Sequence, residues 1–150
     1  MTAVLVAVHL LAAAVWVGGS TALIFVGVPA IRILDGEPRS RAMKELGLRW
    51  RPLGYGALAV AALTGVALAA REWQHDTAFQ IVFWTKVALF LCLLVASYCH
   101  NFVLGPRLQA EIREEREQVT RRTLVVVGWI SYSLTLSLPL LGVALQRLVG

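Results

Sequence analysis

Lys86 places a full positive charge inside an apolar stretch, residues 81–104, that is long enough to cross a membrane. An ammonium in lipid is costly even on lenient insertion scales, so it normally faces a partner, a cavity or a ligand. His9 is the matching group on the first apolar stretch. If the two helices begin near residues 3 and 80 at the same face, both side chains lie about 9 Å deep. A neutral imidazole there could ligate iron or copper, handle a proton, or bond a neighbouring hydroxyl as a packed helix residue. Lys86 could neutralise an anionic ligand beside His9, such as a porphyrin propionate, or snorkel its ammonium to the nearer headgroups. Trp84 stands at the interface in either case.

A second group of candidate ligands is Cys99 and His100, with Cys92 seven residues earlier. Thiol and imidazole together suit a soft metal such as copper. Copper paths usually carry more sulfur, and the only methionines, Met1 and Met43, lie outside the apolar spans. Seven residues of helix separate Cys92 and Cys99 by about 10 Å, too far for a disulfide. His100 falls near 30 Å into its helix, roughly 20 Å below His9. Both histidines therefore cannot bind one iron within a monomer. Each serves a different site, or one is structural. His75, beside Asp76 in a short polar link, reads as a solvated loop residue.

Four segments of predominantly apolar residues must position these groups, at about 3–31, 52–70, 80–104 and 124–145. With 58% hydrophobic and 15% charged residues, the chain is too apolar for a soluble domain. Backbone polar groups in lipid are satisfied within a helix without partner strands. The expected fold class is all-α, one integral membrane domain over residues 1–150, built as an antiparallel four-helix transmembrane bundle. The first segment lacks a basic n-region and is longer than a signal-peptide core, so it is expected to stay as a helix.

The net charge of +5 is a topology signal rather than a sign of nucleic acid. Arg32, Arg39, Arg41, Lys44, Arg49 and Arg51 follow the first span, and Arg107, Arg113, Arg116, Arg121 and Arg122 follow the third. Between the second and third spans the only fixed positive charge is Arg71. The positive-inside rule puts both basic links in the cytoplasm and both termini outside, in the inner (plasma) membrane. The lipid bilayer is thus the first partner, with anionic lipid a contributor.

Punctuation residues set the expected boundaries. A turn at Asp35, Gly36, Glu37 and Pro38 precedes a short basic interfacial helix over 39–51, and Pro52 suits the opening turn of the second span. Gly105 and Pro106 should end the third helix. Residues 107–122 read as a solvated helix with charge pairs such as Glu117 to Arg121. Ala57, Ala61 and Gly65 form a small-residue stripe, and Gly18, Gly19 and Ser20 a notch. Both are packing features first, and a slot for a flat cofactor second. Ser131, Ser133, Thr135 and Ser137 either bond back to their own helix or line a polar cavity.

The spacing of His9, Trp16 and Gly19 resembles the first-helix pattern of the CopD copper-resistance family and of the related HemJ-type protoporphyrinogen oxidases. The similarity continues in Pro29-Ala30-Ile31-Arg32, Leu63-Thr64-Gly65, Trp84-Thr85-Lys86 and the run from Tyr98 to Arg107. The resemblance implies a four-helix membrane protein in which His9 is the haem or metal ligand and Lys86 its functional partner. Trp16, Gly19 and Gly65 would complete a haem b site, while Cys99 and His100 would join His9 on a copper path. The HemJ-type first-helix Leu-Pro-Arg-Leu and terminal Tyr-His are absent, so protoporphyrinogen oxidase activity is not expected. Three functions follow: a haem-dependent redox protein, a transporter of copper or another small solute, and an accessory subunit of a membrane complex. Four short helices offer little area to enclose a large cofactor, which favours a homodimer or a membrane-complex partner.

Overall fold

The computed structural model describes residues 2–71, 73–113 and 118–149, which are helical almost throughout, with no strand among them. Helix α1 is Thr2–Ile31 and contains a π-helical turn, Leu23–Gly27. Helix α2 is Gly36–Arg71. Helix α3 covers residues 77–113, made of Thr77–Tyr98, a π turn at Cys99–Leu104, and Gly105–Arg113. Helix α4 is Gln118–Val149. Each of the four is long and apolar enough to cross a membrane. Large apolar side chains such as Leu10, Leu63 and Leu140 face outward, as contact with a lipid bilayer requires.

Three boundaries differ from the sequence expectation. The turn expected over 35–38 lies earlier, at 32–34, because Gly36 already opens the next helix. The basic stretch 39–51 and the second span are one continuous helix, so Pro52 sits in the interior of α2 rather than at its start. Pro52 offers no N–H to the carbonyl of Leu48, yet the residues beside it hold the helix in place. Trp50, Gly54 and Tyr55 all pack around Trp16 of α1, and that packing outweighs the lost bond. Gly105 and Pro106 likewise do not end α3, which runs on to Arg113. Here the π turn is the physical reason. The Gly105 N–H bonds the carbonyl of His100, a wider loop than the α-helical one, just before the proline. A wide turn relieves the clash that a proline ring makes with the carbonyl four residues back. The same device precedes Pro29, where the Val28 N–H bonds the Leu23 carbonyl. The pair expected between Glu117 and Arg121 lies outside the described residues, as do parts of the 107–122 stretch.

Helix α3 begins at Thr77 because Asp76 caps it. The Asp76 carboxylate accepts from the Phe79 N–H at 3.2 Å, satisfying one of the open donors of the first turn. Gly36 opens α2 with φ of +56°, a left-handed conformation that suits glycine alone at low cost.

Helix α1 packs chiefly on α2, and α3 chiefly on α4. The core between the pairs is Trp16, Leu58 and Leu93, with Ala57 of the small-residue stripe packed against it. Trp16 is 7% exposed, and its Nε1–H donates to the Thr135 hydroxyl at 2.9 Å. Its ring meets those of Trp50 and Tyr55 at centroid distances of 5.8 and 6.4 Å. Glycines admit this aromatic group. A Cβ at Gly54 would stand 2.9 Å from Trp50 and 3.0 Å from Trp16, and one at Gly19 would overlap the Trp50 ring outright. Gly18 faces open space, so the notch narrows to Gly19. On α4, Ser131 and Ser137 donate to carbonyls of their own helix, at 2.9 Å each.

The substitution Gly19→Leu should destabilise the detergent-solubilised protein by about 1–3 kcal/mol through overpacking. Adding Trp50→Ala should recover part of the loss in thermal midpoint. An unchanged midpoint for Gly19→Leu alone would show that Trp50 does not occupy the notch.

Candidate functional site

His9 is half-buried on α1 and faces α2, where its Nδ1 lies 2.9 Å from the Thr64 hydroxyl. Thr64 is buried, and its single hydroxyl hydrogen goes to the Val60 carbonyl at 2.7 Å, with Ala61 at 3.2 Å. The hydroxyl is thus the acceptor towards the ring, and Nδ1 carries the proton. This tautomer leaves Nε2 with its lone pair, which is the form that ligates a metal or takes up a proton. Gly65 is what allows the close approach, since a Cβ there would stand 3.3 Å from the ring's Cε1.

Lys86 reaches from α3 to α4, where a Cβ on Gly142 would stand 3.3 Å from Nζ. Gly142 lies seven residues beyond Thr135 on α4, as His9 lies seven before Trp16 on α1, so both groups sit on the same side of the Trp16–Thr135 contact. Among the described residues Lys86 has no ion-pair partner. The structure therefore brings His9, Gly65 and Lys86 towards one end of the molecule. Trp16 and Gly19 do something else: they are parts of the joint with Trp50 and Thr135, and the room at Gly19 is filled by an indole.

The other end of the molecule holds Cys99 and His100, on the π turn of α3. His100 packs on α4 at Gly128, where a Cβ would stand 3.4 Å from Nε2. It lines a cavity of about 480 Å³ that His9 does not reach. The two histidines thus belong to separate sites, as their separation along the helices required. Cys92 is exposed and Cys99 half-buried, both as free thiols. Among the described residues no three His, Cys, Asp or Glu side chains are grouped to hold a metal ion.

Sequence reasoning missed the cavity and the residues around it. Arg32, Arg39, Arg51 and Arg121 all line it, together with Trp50 and Trp129. Arg51 donates to the Asn101 carbonyl and lies over the Phe102 ring, 4.5 Å from its centroid. Asn101 in turn donates to the Tyr55 hydroxyl at 3.3 Å and to the Ser97 carbonyl at 2.9 Å. The clustering of arginines at one end was visible as a topology signal. That Arg39 and Arg51 share one continuous helix, α2, was not, because Pro52 was expected to start a new one.

If Thr64 sets the ring's tautomer, Thr64→Val should remove the preference for Nδ1–H. Nitrogen-15 shifts of labelled histidine in micelles report this directly. Identical ring shifts for His9 in both proteins would show that the hydroxyl does not orient it.

Comparison with protein-family models, with curated proteins and with solved structures finds no match to this chain.

Proposed function

We propose that this chain is a multi-pass membrane protein that holds haem b through His9, with Lys86 neutralising a propionate. The observation that carries this reading is the His9–Thr64 bond, which presents Nε2 as a bare donor. Iron-ligating histidines commonly donate their other ring N–H to a fixed acceptor in this way. Lys86 supports it by supplying a positive charge towards the same end of the molecule, with no carboxylate of its own among the described residues. Gly65 holds the ring against α2. Trp16 positions the helix that carries His9, two turns away, and is a structural residue in this account. Bound haem would supply one-electron redox chemistry, and the protein would act as an oxidoreductase component.

In the membrane, the four helices form an antiparallel bundle within the inner membrane. Both arginine-rich links face the cytoplasm and both termini face outward, in accord with the charge asymmetry of the links. His9 and Lys86 then lie near the outer face. The similarity to CopD- and HemJ-type sequences in the residues around His9 and Lys86 points the same way.

Protein purified from haem-replete cells should show a Soret band that is lost in His9→Ala and weakened in Lys86→Ala. Metal analysis on the same sample should find iron and no copper. Absence of the band sinks the proposal. Stoichiometric copper, sensitive to Cys99→Ser and His100→Ala, would replace it with metal transport. A cofactor-free chain that co-purifies with a larger complex would replace it with an accessory role. A reporter active only outside the cytoplasm should work when fused at the C-terminus and fail when inserted within 39–51. The reverse pattern would invert the topology.

A further inference from the structure

The arginine-lined cavity has no role in the reading above, and its composition is unusual for a space between apolar helices. Arg32 at the end of α1, Arg39 and Arg51 of α2 and Arg121 of α4 line it, and among the described residues no aspartate or glutamate does. Cations gathered around a space of about 480 Å³ repel one another, and Arg51, unlike the exposed Arg32 and Arg121, is also partly stripped of water. An anion in the cavity relieves both penalties. Arg51 makes the need specific. Its guanidinium donates to Asn101 and lies over Phe102, yet its Nε–H is buried with no acceptor. A buried donor left unpaired on a charged group is among the more costly defects in a folded protein.

The apolar part of the lining tells what the anion is attached to. Phe25, Val125 and Trp129 line the cavity and are 56%, 37% and 51% exposed. Phe25 and Trp129 stand edge to face at 6.3 Å across the seam between α1 and α4. Exposed apolar side chains therefore border the cavity along that seam. A free inorganic anion would satisfy the arginines and leave this apolar border uncovered. A lipid satisfies both. Basic pockets between membrane helices on the cytoplasmic side are suited to anionic headgroups, and the arginine-rich end is that side by the positive-inside rule.

We propose that this cavity is the headgroup site of an anionic phospholipid. Its phosphate sits with Arg51 and Arg121, and its acyl chain leaves between α1 and α4 across Phe25 and Trp129. The assignment is independent of haem at His9.

Native mass spectrometry of the full chain in detergent tests this, with phosphatidylglycerol and phosphatidylcholine of matched chains as probes. Phosphatidylglycerol should be retained in preference, and inorganic phosphate should not displace it. Arg51→Gln and Arg121→Gln should each weaken retention about fivefold. Arg49→Gln should leave it unchanged, because Arg49 is exposed, pairs with Glu45 at 3.7 Å and does not line the cavity. Should Arg51→Gln fail to fold, Arg121→Gln carries the test, since that side chain is largely exposed. Equal retention of the two lipids, or equal loss in Arg49→Gln, would overturn the site. Displacement by inorganic phosphate would make the ligand a soluble anion instead. A Soret band that survives His9→Ala and disappears in His100→Ala would place a porphyrin in the cavity and exclude the lipid.

Discussion

One indole sits at the centre of the joint between the two helix pairs. Trp16 of α1 is wedged against Trp50 and Tyr55 of α2, and its N–H is tied to Thr135 of α4. In a hydrocarbon setting there is no hydrophobic driving force between helices, so shape and hydrogen bonds must hold them together. An indole N–H with no acceptor there would cost about 1–3 kcal/mol. The hydroxyl of Thr135, 2% exposed, removes that cost and fixes where α4 meets α1. Gly19 and Gly54 make the joint possible by giving the second indole somewhere to go.

The joint also divides the interior. On one side lie His9 and Lys86, each on a different helix pair and each backed by a glycine of its neighbour, Gly65 and Gly142. On the other lies the cavity, with its arginines and with His100. The polar groups of this apolar molecule are thus segregated into two regions with an aromatic layer between them. Imidazole and ammonium at one end suit a ligand that accepts a donor pair and carries negative charge. Guanidinium groups at the other suit an anion held by several hydrogen bonds at once.

Much of this was legible in the sequence because hydrophobic length is a strong signal. The four apolar runs, the shared depth of His9 and Lys86 and the separation of His9 from His100 all follow from helical rise applied to residue numbers. The misreadings came from prolines. Pro52 and Pro106 are breakers by local rules, but Trp50 and Tyr55 hold one helix together through contacts with another, and a π turn absorbs the other proline. Neither influence is local. The roles of Gly19 and Trp16 were hidden for the same reason, since Trp50 fills the notch from a stretch expected to lie at the interface. Asp76 was read as a loop residue, although an aspartate directly before an apolar run is a capping signal that could have placed the start of α3.

The two π turns have a consequence for how such helices tolerate change. Each accommodates one more residue than an α-helical turn would, so everything beyond it is rotated by about 100° relative to an uninterrupted helix. Below the first turn that rotation carries Arg32, and below the second Gly105 and Leu108, all of which line the cavity. Only part of the lining depends on these turns, since Trp16, Ser20 and Ser97 precede them and the α2 and α4 walls run as uninterrupted α-helix. Deleting a single residue within Leu23–Gly27 or Cys99–Leu104 would turn Arg32, or Gly105 and Leu108, out of the cavity and leave the rest of the lining, with the end that holds His9 and Lys86, in register.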